Sequence, residues 1–403
     1  MARRIDMTPL LPVIGRLPLD PSRYFFVGGV VRNLLRGEPP RDVDIVTDLP
    51  GELLSRAGFR RVVTTRGGVV HLFPHIAPGV VEATRIEGLE DLEGDLRRRD
   101  VTMNAMALST DGRLIDPLGG EGDLRAKRLV PCSPESLRID PGRVFRLFRF
   151  ESHGYRMDDS CRSLLDPLPD LVPLPVERFT REMLRALEGD EPSRFFSLMV
   201  THGAGRELLP ELFRMTEIPA GPPDKHPEGD LFTHVCQVLE RTATLSPDPR
   251  TRFCAIFHDI GKLLTPPSIL PAHHHHEELG AAIAPRFCDR LRLPASYRTA
   301  LVTVCRLHGR VNRWYELREG TKMRLVEEGV RRGCDEILYV IAQGDKPGRV
   351  PRNEWELLVR ICRLTTRQLG IDPDRLSLIL PADRHPYIHQ KRLERWRECR
   401  GSP

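Results

Sequence analysis

The sequence predicts an α+β protein, with a mixed α/β region first and an all-helical remainder after it. Short runs of strand-forming residues occur at 25–27, 43–47, 69–73 and 80–83, with helical patterns between them. Beyond about residue 130, apolar residues recur at helical spacing instead. With 403 residues the chain is too long for one ordinary hydrophobic core, so several domains are expected.

The composition excludes several classes of protein. Hydrophobic residues make up 40% of the chain and charged residues 29%, which is typical of a globular protein and not of a disordered one. No apolar run approaches the ~18 residues of a membrane span. The N-terminus lacks the apolar core of a signal peptide, and the nine cysteines are scattered without a Cys-x-x-Cys pair. We therefore expect a cytoplasmic protein with reduced thiols and no membrane partner. The net charge of +5 permits RNA binding but does not demonstrate it, and the oligomeric state stays open.

The first element that indicates chemistry is a strand that ends in two glycines. The apolar run Tyr24–Val27 leads into Gly28 and Gly29, and a helical segment follows with Arg32 near its start. Glycines let a backbone approach a bulky anion, and a helix start offers free N–H groups. Arg32 is positioned to bind phosphate directly. This turn therefore predicts a site for a triphosphate.

The next strand brings two carboxylates to the same place. Asp42 and Asp44 are two residues apart, so they point to one side of an extended strand. Paired carboxylates suit Mg²⁺, which holds a triphosphate and activates a hydroxyl. Glu82, on a neighbouring strand, is either a third catalytic carboxylate or an exposed strand residue. A Gly-Gly turn or an Asp-x-Asp pair alone is usually structural, but their order here favours catalysis.

Three later segments give this region a family resemblance. Residues 98–108 read RRDVTMNAMAL, residues 116–124 read DPLGGEGDL, and residues 139–150 read IDPGRVFRLFRF. In this order they resemble the motifs of class II tRNA nucleotidyltransferases, whose head has the fold of the DNA polymerase beta superfamily. That family includes CCA-adding enzymes and bacterial poly(A) polymerases. The resemblance implies transfer of nucleotides from CTP and ATP to tRNA.

The resemblance also implies roles for residues that follow the carboxylates. The segment carrying Arg98, Arg99, Asp100 and Asn104 would bind the sugar and phosphates of the incoming nucleotide. The alternative for this segment is a solvated charge run before an amphipathic helix.

The resemblance implies that Asp140 and Arg143 select the base of the incoming nucleotide. They are expected one helical turn apart on one face, where they would pair with the Watson–Crick edge of C or A. The alternative places Arg143 with Arg146 and Arg149 on a basic face that contacts RNA phosphates. Glu177 and Arg178 resemble a later helix that braces the base-reading helix.

The chain departs from the family pattern at three places. Ile139 stands where the base-reading motif has Glu, and Asn33 stands where the arginine helix usually has Asp. The segment between Asp44 and Arg98 is also shorter than in full CCA-adding enzymes. A shortened segment is typical of enzymes that add only CC, so addition of the final A stays open.

The second half of the chain carries a histidine-rich pattern. Eight of the 14 histidines fall between His226 and His308. His234, the doublet His258-Asp259 with Gly261-Lys262 behind it, and the distant Asp345 resemble the HD phosphohydrolase superfamily. Imidazoles and carboxylates together suit a transition divalent metal such as Ni²⁺, Mn²⁺ or Co²⁺. Further candidate ligands for this metal are His274, His276 and His308.

Two features of this second region are less typical of the superfamily. The run at 273–276 has the alternative of a solvated loop, and any single histidine here is more often satisfied by ordinary hydrogen bonds. The resemblance also calls for an acidic residue after His308, where Gly309 stands instead.

Together the motifs resemble the multifunctional CCA-adding enzymes. We expect a nucleotidyltransferase head at 1–130, a helical neck and body at 131–222, an HD domain at 223–350 and a helical tail at 351–403. The HD domain would act as a phosphodiesterase or phosphatase on 2′,3′-cyclic phosphates, 2′-nucleotides or phosphate monoesters. Alternatives within the class are a CC-adding enzyme or a bacterial poly(A) polymerase. From another class, an HD-type signalling phosphohydrolase with a nucleotide-binding head is disfavoured by the intact pair Asp42 and Asp44.

Overall fold

The chain forms two compact units, Met1–Pro173 and Leu174–Pro403. The computed structural model describes residues 4–39, 42–63, 68–76, 79–171 and 174–401. The first unit combines a mixed β-sheet with helices, and the second unit is helical in its described part. The predicted α+β class, with the strands first and the helices after them, is confirmed.

The first unit is built on a seven-stranded sheet. The strands of this unit are β1 (Tyr24–Val27), β2 (Val43–Thr47), β3 (Arg60–Val63), β4 (Val69–Ile76), β5 (Gly79–Arg85), β6 (Ala107–Leu108), β7 (Leu114–Ile115), β8 (Arg128–Leu129) and β9 (Arg156–Met157). The sheet order is β3-β4-β5-β2-β1-β6-β7, and β8 and β9 form a separate parallel pair. The four predicted strands are confirmed. Strands β6 to β9 have two residues each, which is too short for an alternating pattern to reveal them. Strand β3 has no fully buried residue, so it lacks the apolar side that marks a strand in sequence.

The middle of the sheet is where the catalytic candidates lie. Strand β2 pairs antiparallel with β1, so Asp44 lies opposite Val27. It pairs parallel with β5, so Asp44 also lies beside Glu82. Val27 and Val46 on this side of the sheet belong to a buried apolar cluster. Asp44, two residues before Val46, therefore stands at the edge of a packed core, which holds its strand in place.

Short helices connect the strands of the first unit. They are α1 (Leu11–Ile14), α2 (Gly29–Leu35), α3 (Gly51–Arg56), α4 (Leu92–Arg97), α5 (Gly120–Arg125), α6 (Ser136–Ile139), α7 (Arg143–Ser152) and α8 (Asp159–Ser163). The helix predicted after the two glycines is α2, which buries Val30 and Val31 completely. This burial fixes the start of α2 against the sheet.

The second unit consists of helices that pack around aromatic side chains. They are α9 (Val176–Ala186), α10 (Ser193–His202), α11 (Pro210–Met215), α12 (Leu231–Leu245), α13 (Pro249–Phe257), α14 (His276–Arg290), α15 (Ala295–Asn312), α16 (Glu319–Arg331), α17 (Asp335–Asp345), α18 (Arg352–Arg363), α19 (Pro373–Leu378) and α20 (Pro381–Gly401). Phe253 and Phe257 of α13 pack against Phe287 of α14. Among the described residues, no helix is long and apolar enough to cross a membrane.

Candidate active sites

The turn between β1 and α2 brings backbone close to charged side chains. Gly28 has φ 71° and ψ −130°, a backbone conformation that residues other than glycine rarely adopt. A Cβ at this position would lie 3.1 Å from Nη1 of Arg99 and 3.5 Å from Oδ2 of Asp44. The glycine therefore allows the start of α2 to lie directly against a cation and a carboxylate.

Three carboxylates gather at this turn. Asp44 of β2 and Glu82 of β5 are neighbours in parallel register, so their side chains lie on the same face. Glu82 is exposed on its strand, as the alternative for it expected. Partial desolvation of its carboxyl nevertheless raises its pKa, and the negative charges of Asp44 and Asp42 raise it further. Burial likewise raises the pKa of Asp44, while the positive charge of Arg99 opposes the rise. Such like charges in one place favour binding of a cation.

Asp42 does not lie on the strand that the sequence predicted for it. Strand β2 begins at Val43, and Asp42 forms a bend just before it. Aspartate is a poor strand former and accommodates bends readily, which explains the shorter strand. Residues 40–41 of the predicted turn lie outside the described part of the chain. The charge of Asp42 nevertheless acts on both Asp44 and Glu82.

A hydrogen-bonded chain holds Arg32 behind the turn. Nη1 of Arg32 donates to Oδ1 of Asn104, and Nδ2 of Asn104 donates to Oδ1 of Asp100 at 3.1 Å. Arg146 donates to the other oxygen of Asp100 at 3.1 Å. Burial alone would raise the pKa of Asp100, but Arg146 and the Val101 backbone N–H help to lower it to about 2. Asp100 is therefore an anion that orients two cations rather than a proton donor.

The two arginines before Asp100 are placed differently. Arg99 forms an ion pair with Asp95 of α4 at 2.9 Å, and its guanidinium also lies near Gly28. Arg98 is exposed, and its carbonyl accepts a hydrogen bond from Arg143. The structure thus brings Arg99, Asp100 and Asn104 to the turn, while Arg98 contributes its backbone.

The expectation that Asp140 and Arg143 share one helix face is wrong. Helix α6 ends at Ile139 and α7 begins at Arg143, with Asp140 between them at φ −143° and ψ 94°. Pro141 causes the break, because a proline disfavours the helical conformation of the residue before it. The Asp140 carboxylate accepts a hydrogen bond from the Gly142 backbone N–H at 3.0 Å.

Arg143 connects this break to the nucleotide-binding segment. Its guanidinium donates to the carbonyl oxygens of Arg98 at 2.8 Å, Arg99 at 3.1 Å and Ser136 at 2.9 Å. Burial lowers the pKa of Arg143, and the charges of Asp100 and Asp140 oppose that change. Arg143 therefore braces the loop at Arg98 and Arg99 in addition to any contact with a base. On the same helix, Arg149 lies over the ring of Phe150, 4.2 Å from its centroid.

Glu177 and Arg178 lie in the first turn of α9, in the second unit. Glu177 is exposed, and its carboxylate lies 3.7 Å from the Arg292 guanidinium. Their bracing role stays a prediction.

The second unit contains a polar cavity of about 620 Å³. The ends of several helices converge on it, which is why its residues are scattered along the sequence. Those singled out by the sequence are His234 of α12, Asp259 after α13, His274 and His276 near the start of α14, His308 of α15 and Asp345 at the end of α17. His258, next to Asp259, points its Nε2 atom at the same carboxylate. We call this group, without His274, the HD cluster.

Asp259 lies at the centre of the HD cluster. Its Oδ1 atom is 3.2 Å from Nε2 of His308 and 3.4 Å from Nε2 of His276. Its Oδ2 atom is 3.3 Å from Nε2 of His258 and 2.7 Å from Nζ of Lys262. Asp259 is 3% exposed, so its charge is removed from water and depends on these neighbours.

His234 and Asp345 complete the HD cluster from the other side. Nε2 of His234 lies 3.4 Å from Oδ1 of Asp345, whose other oxygen accepts from Nδ2 of Asn312 at 2.5 Å. Nδ1 of His234 is 2.7 Å from Glu228. Burial is the main cause that lowers the pKa of His234 to about 4, so its imidazole is neutral at neutral pH. The Glu228 contact places the proton on Nδ1 and leaves the Nε2 lone pair toward the cluster.

The donor atoms of the HD cluster fit a divalent metal. Nε2 of His234, Nε2 of His258 and Oδ1 of Asp259 are buried, and none of them forms a hydrogen bond of suitable geometry with a described residue, although other polar atoms of the cluster lie near them. Nδ1 of His258 is 2.9 Å from the Ala255 carbonyl, which again turns the other ring nitrogen to the cluster. Lone pairs that face a carboxylate repel it unless a cation lies between them. His, His and Asp are a ligand set suited to first-row divalent ions.

The sequence did not single out two acidic residues of this region. Glu228 lies before α12 and holds both His234 and His226, with 3.0 Å to Nδ1 of the latter. Glu277 fills the space over Gly309, where an added Cβ would collide with its carboxylate. An acid is therefore present beside position 309, supplied by α14 instead of α15. Loop and helix spacing give no signal for either contact, because both depend on tertiary packing.

The three further histidines predicted as possible metal ligands, His274, His276 and His308, differ in their positions. His276 and His308 form a group with Asp259 whose ligand atoms lie within 4.8 Å of one another. His274 lies at the cavity but is exposed and belongs to none of the possible metal-binding groups among the described residues. Within the run at 273–276, His273 and His276 are half-buried and His274 and His275 are exposed. His273 is held by Thr265 and the Pro219 carbonyl, so His276 is the member that reaches Asp259.

Known protein families match three parts of the chain. The poly A polymerase head domain matches residues 73–130, and the probable RNA and SrmB-binding site of polymerase A matches residues 164–215. The HD domain family matches residues 231–337. The HD domain expected from the histidine pattern is therefore present.

Curated relatives cover most of the chain. The multifunctional CCA protein of Methylococcus capsulatus is 36% identical over 83% of this chain and 85% of its own length. That of Thioalkalivibrio sulfidiphilus is 38% identical over 76% of this chain and 79% of its own length. At this identity and coverage, the chain belongs to the family of multifunctional CCA proteins.

Solved structures share the fold at lower identity. The CCA-adding enzyme of Thermotoga maritima, complexed with tRNA, is 17% identical with a TM-score of 0.64 and covers 98% of this chain and 94% of its own. The CCA-adding enzyme of Bacillus stearothermophilus, in complex with CTP, is 22% identical with a TM-score of 0.59. This match covers 96% of the present chain and 92% of the Bacillus chain. These likenesses support the fold class.

Proposed function

We propose that the chain adds CCA to the 3′ end of tRNA from CTP and ATP. The observation that carries the proposal is the parallel pairing of Asp44 with Glu82 beside the Gly28 turn, with Asp42 acting on both. Membership in the family of multifunctional CCA proteins supports the same reaction and its substrates. Since tRNA is the proposed substrate, we infer a cytoplasmic location.

The turn and the hydrogen-bonded chain behind it would bind the triphosphate. The N–H groups at the start of α2 and the guanidiniums of Arg32 and Arg99 provide donors and positive charge. Asn104 and Asp100 keep Arg32 oriented, so little side-chain freedom is lost when the nucleotide binds.

The three carboxylates would hold Mg²⁺. Asp42 and Asp44 are the ligands we infer, and Glu82 lies close enough to Asp44 to assist. When bound, divalent ions supply the charge that favours ionisation of the attacking 3′-hydroxyl and neutralises the leaving pyrophosphate. The oxygen of that hydroxyl forms a bond to the α-phosphorus, the bond from this phosphorus to the β-phosphate oxygen breaks, and the hydroxyl proton is released.

Base choice would depend on Asp140 and Arg143. Their polar atoms complement the edges of C and A, and the charge of Asp140 acts on Arg143 although they do not share a helix. The hydrogen bonds from Arg143 to Arg98 and Arg99 link base choice to the segment that binds the nucleotide.

The second site would hydrolyse phosphate esters. His234, His258, Asp259 and Asp345 are the inferred ligands of a transition divalent ion such as Ni²⁺, Mn²⁺ or Co²⁺. When bound, such an ion supplies Lewis acidity to the phosphate. On a 2′,3′-cyclic phosphate, the oxygen of water bonds to phosphorus, one ribose P–O bond breaks, and the proton from water ends on the ribose oxygen.

One experiment tests the transferase function. Purified protein is incubated with Mg²⁺, tRNA that lacks its 3′ end and labelled CTP or ATP, and the product length is measured on a sequencing gel. The proposal predicts two C additions with CTP alone and one further A when ATP is added. A product that stops after CC even with ATP indicates the CC-adding alternative, and long A tracts indicate a poly(A) polymerase. No addition under any condition contradicts the proposal.

A further inference from the structure

The second unit contains another cavity, and this one is strongly basic. It has a volume of about 450 Å³ and lies where α15 and α16 come together. Five arginines and one glutamate line it; they are Arg306 and Arg310 of α15, Arg324, Arg331 and Glu328 of α16, and Arg332. We call it the arginine groove.

The positive charge of the arginine groove is only partly neutralised. Arg331 and Arg332 both pair with Glu328. Arg306, Arg310 and Arg324 are exposed and form no ion pair with any residue that the structure describes. Several unneutralised guanidiniums around one concave surface repel one another, and an anionic ligand would relieve that repulsion.

The arginine groove adjoins the cavity of the HD cluster at one shared residue. Arg310 lines both of them. Arg313, three residues further along, lines the HD cavity, and both follow His308 at the end of α15. Arg306 and Arg310 lie one turn apart on the same face of α15, and Arg313 is the first residue after this helix. A cationic path therefore leads from the groove to the inferred metal ligands.

We propose that the arginine groove binds the backbone phosphates of an RNA strand whose 3′ end enters the HD cavity. The inference rests on the proposed hydrolase function of that cavity and adds its substrate class, which is a polynucleotide end and not a free nucleotide. A nucleoside 2′,3′-cyclic phosphate or 2′-monophosphate has a single phosphate to offer and would leave Arg306 and Arg324 unused. Among the described residues, the groove lining contains no aromatic side chain, so contacts to phosphate and not base stacking would hold the strand.

The test compares one reaction on two substrates in the full-length protein loaded with Mn²⁺. The substrates are a short RNA oligonucleotide that ends in a 2′,3′-cyclic phosphate and the mononucleotide 2′,3′-cyclic AMP. The variant is Arg306→Gln with Arg324→Gln, which leaves the HD cavity untouched. The matched control is Arg286→Gln with Arg367→Gln, which removes the same charge from exposed positions outside the groove.

The groove variant should lower kcat/KM for the oligonucleotide by about tenfold, as expected when two phosphate contacts are lost. Its kcat/KM for 2′,3′-cyclic AMP should stay unchanged, and the control should behave as the unmodified protein. The affinity for the oligonucleotide should also depend less steeply on salt. The slope of log affinity against log salt concentration should become shallower by ~0.7 for each lost phosphate contact. An equal loss on both substrates, or no loss on either, overturns the proposal.

A binding measurement separates this inference from the hydrolase function. If the unmodified protein hydrolyses neither substrate, the proposed hydrolase function is wrong, and the groove is judged by binding alone. Fluorescence anisotropy then follows a labelled oligonucleotide with a 3′-phosphate in the presence of EDTA. Weaker binding and a shallower salt slope in the groove variant than in the control support the groove, whereas identical binding overturns it.

Discussion

The transferase site of the first unit and the HD cluster of the second both gather carboxylates, but they do so differently. Asp44 and Glu82 stand side by side on paired strands, so sheet register places them. The residues of the HD cluster come from the ends of separate helices and meet only through packing. The carboxylates of the first site are therefore placed by strand pairing, while those of the second site depend on the packing of the whole helical unit.

The two sites also differ in the partners of their functional groups. In the first unit, Arg32, Asn104, Asp100 and Arg146 satisfy one another in a continuous chain. In the HD cluster, buried ring nitrogens and a carboxylate oxygen lack hydrogen-bond partners within the described residues. The first site is thus ordered by its own side chains, whereas a bound cation would complete the second.

The largest effect is expected from loss of a transferase carboxylate. Asp44→Ala should lower the rate of nucleotide addition on the order of 10³-fold, because a divalent ion contributes several kcal/mol to the transition state. The control Glu52→Ala removes an exposed carboxylate from α3 in the same unit and should leave the rate unchanged. Near-native addition by the Asp44→Ala variant in a gel assay would show that the assigned site is wrong.

A smaller effect is expected from the acid that orients His234. Glu228→Gln should weaken Mn²⁺ binding by about 10–100-fold, since partners that orient a metal-binding histidine contribute that much. Glu278→Gln is the control, because Glu278 lines the same cavity and is exposed. Isothermal titration calorimetry measures both affinities. Equal affinities for the two variants would mean that Glu228 does not orient a ligand.

The role of Arg143 can be resolved by its effect on base choice. Arg143→Ala should raise UTP misincorporation relative to CTP by about tenfold, because a site that pairs with a base edge rejects wrong bases by leaving polar groups unpaired. Addition should also slow, since the carbonyls of Arg98 and Arg99 lose a donor. Arg138→Ala, in the neighbouring helix α6, is the control. Unchanged selectivity with slower addition would assign Arg143 to bracing alone.

A last effect concerns not activity but stability, through Asp100. Folding lowers the pKa of this carboxyl from 3.8 to about 2, so its anion stabilises the fold. That contribution, ~2 kcal/mol, is full above about pH 4 and is lost as the pH falls toward 2. Urea unfolding of the unmodified protein and Asp100→Asn should therefore differ at pH 7, with the difference shrinking below pH 4. A difference that stays constant with pH would rule out the anion as its cause.

The sequence predicted more of the first site than of the second. The order of strand, glycines, helix and Asp-x-Asp located Gly28, Arg32 and Asp44, because neighbouring residues on paired elements remain neighbours in space. The break at Asp140 was missed, although Pro141 behind it is a physical reason that sequence reasoning could have used. A helix predicted across a proline is therefore most often wrong at the residue that precedes the proline.

In the second unit, the histidine pattern identified the domain but not its full set of contacts. Glu228 and Glu277 reach the site by packing, and no spacing rule connects them to His234 or Gly309. The exposed position of His274 was likewise not evident, since a run of four histidines does not reveal which of them turns inward.

We infer that one chain carries two independent active sites. The most direct test measures nucleotide addition and 2′,3′-cyclic AMP hydrolysis in two variants, Asp44→Ala and His258→Ala with Asp259→Ala. Asp383→Ala with His385→Ala, on exposed positions of α20, is the matched control for the second variant. We predict that the first variant loses only addition and the second loses only hydrolysis. Loss of both activities in either folded variant would contradict the independence of the two sites.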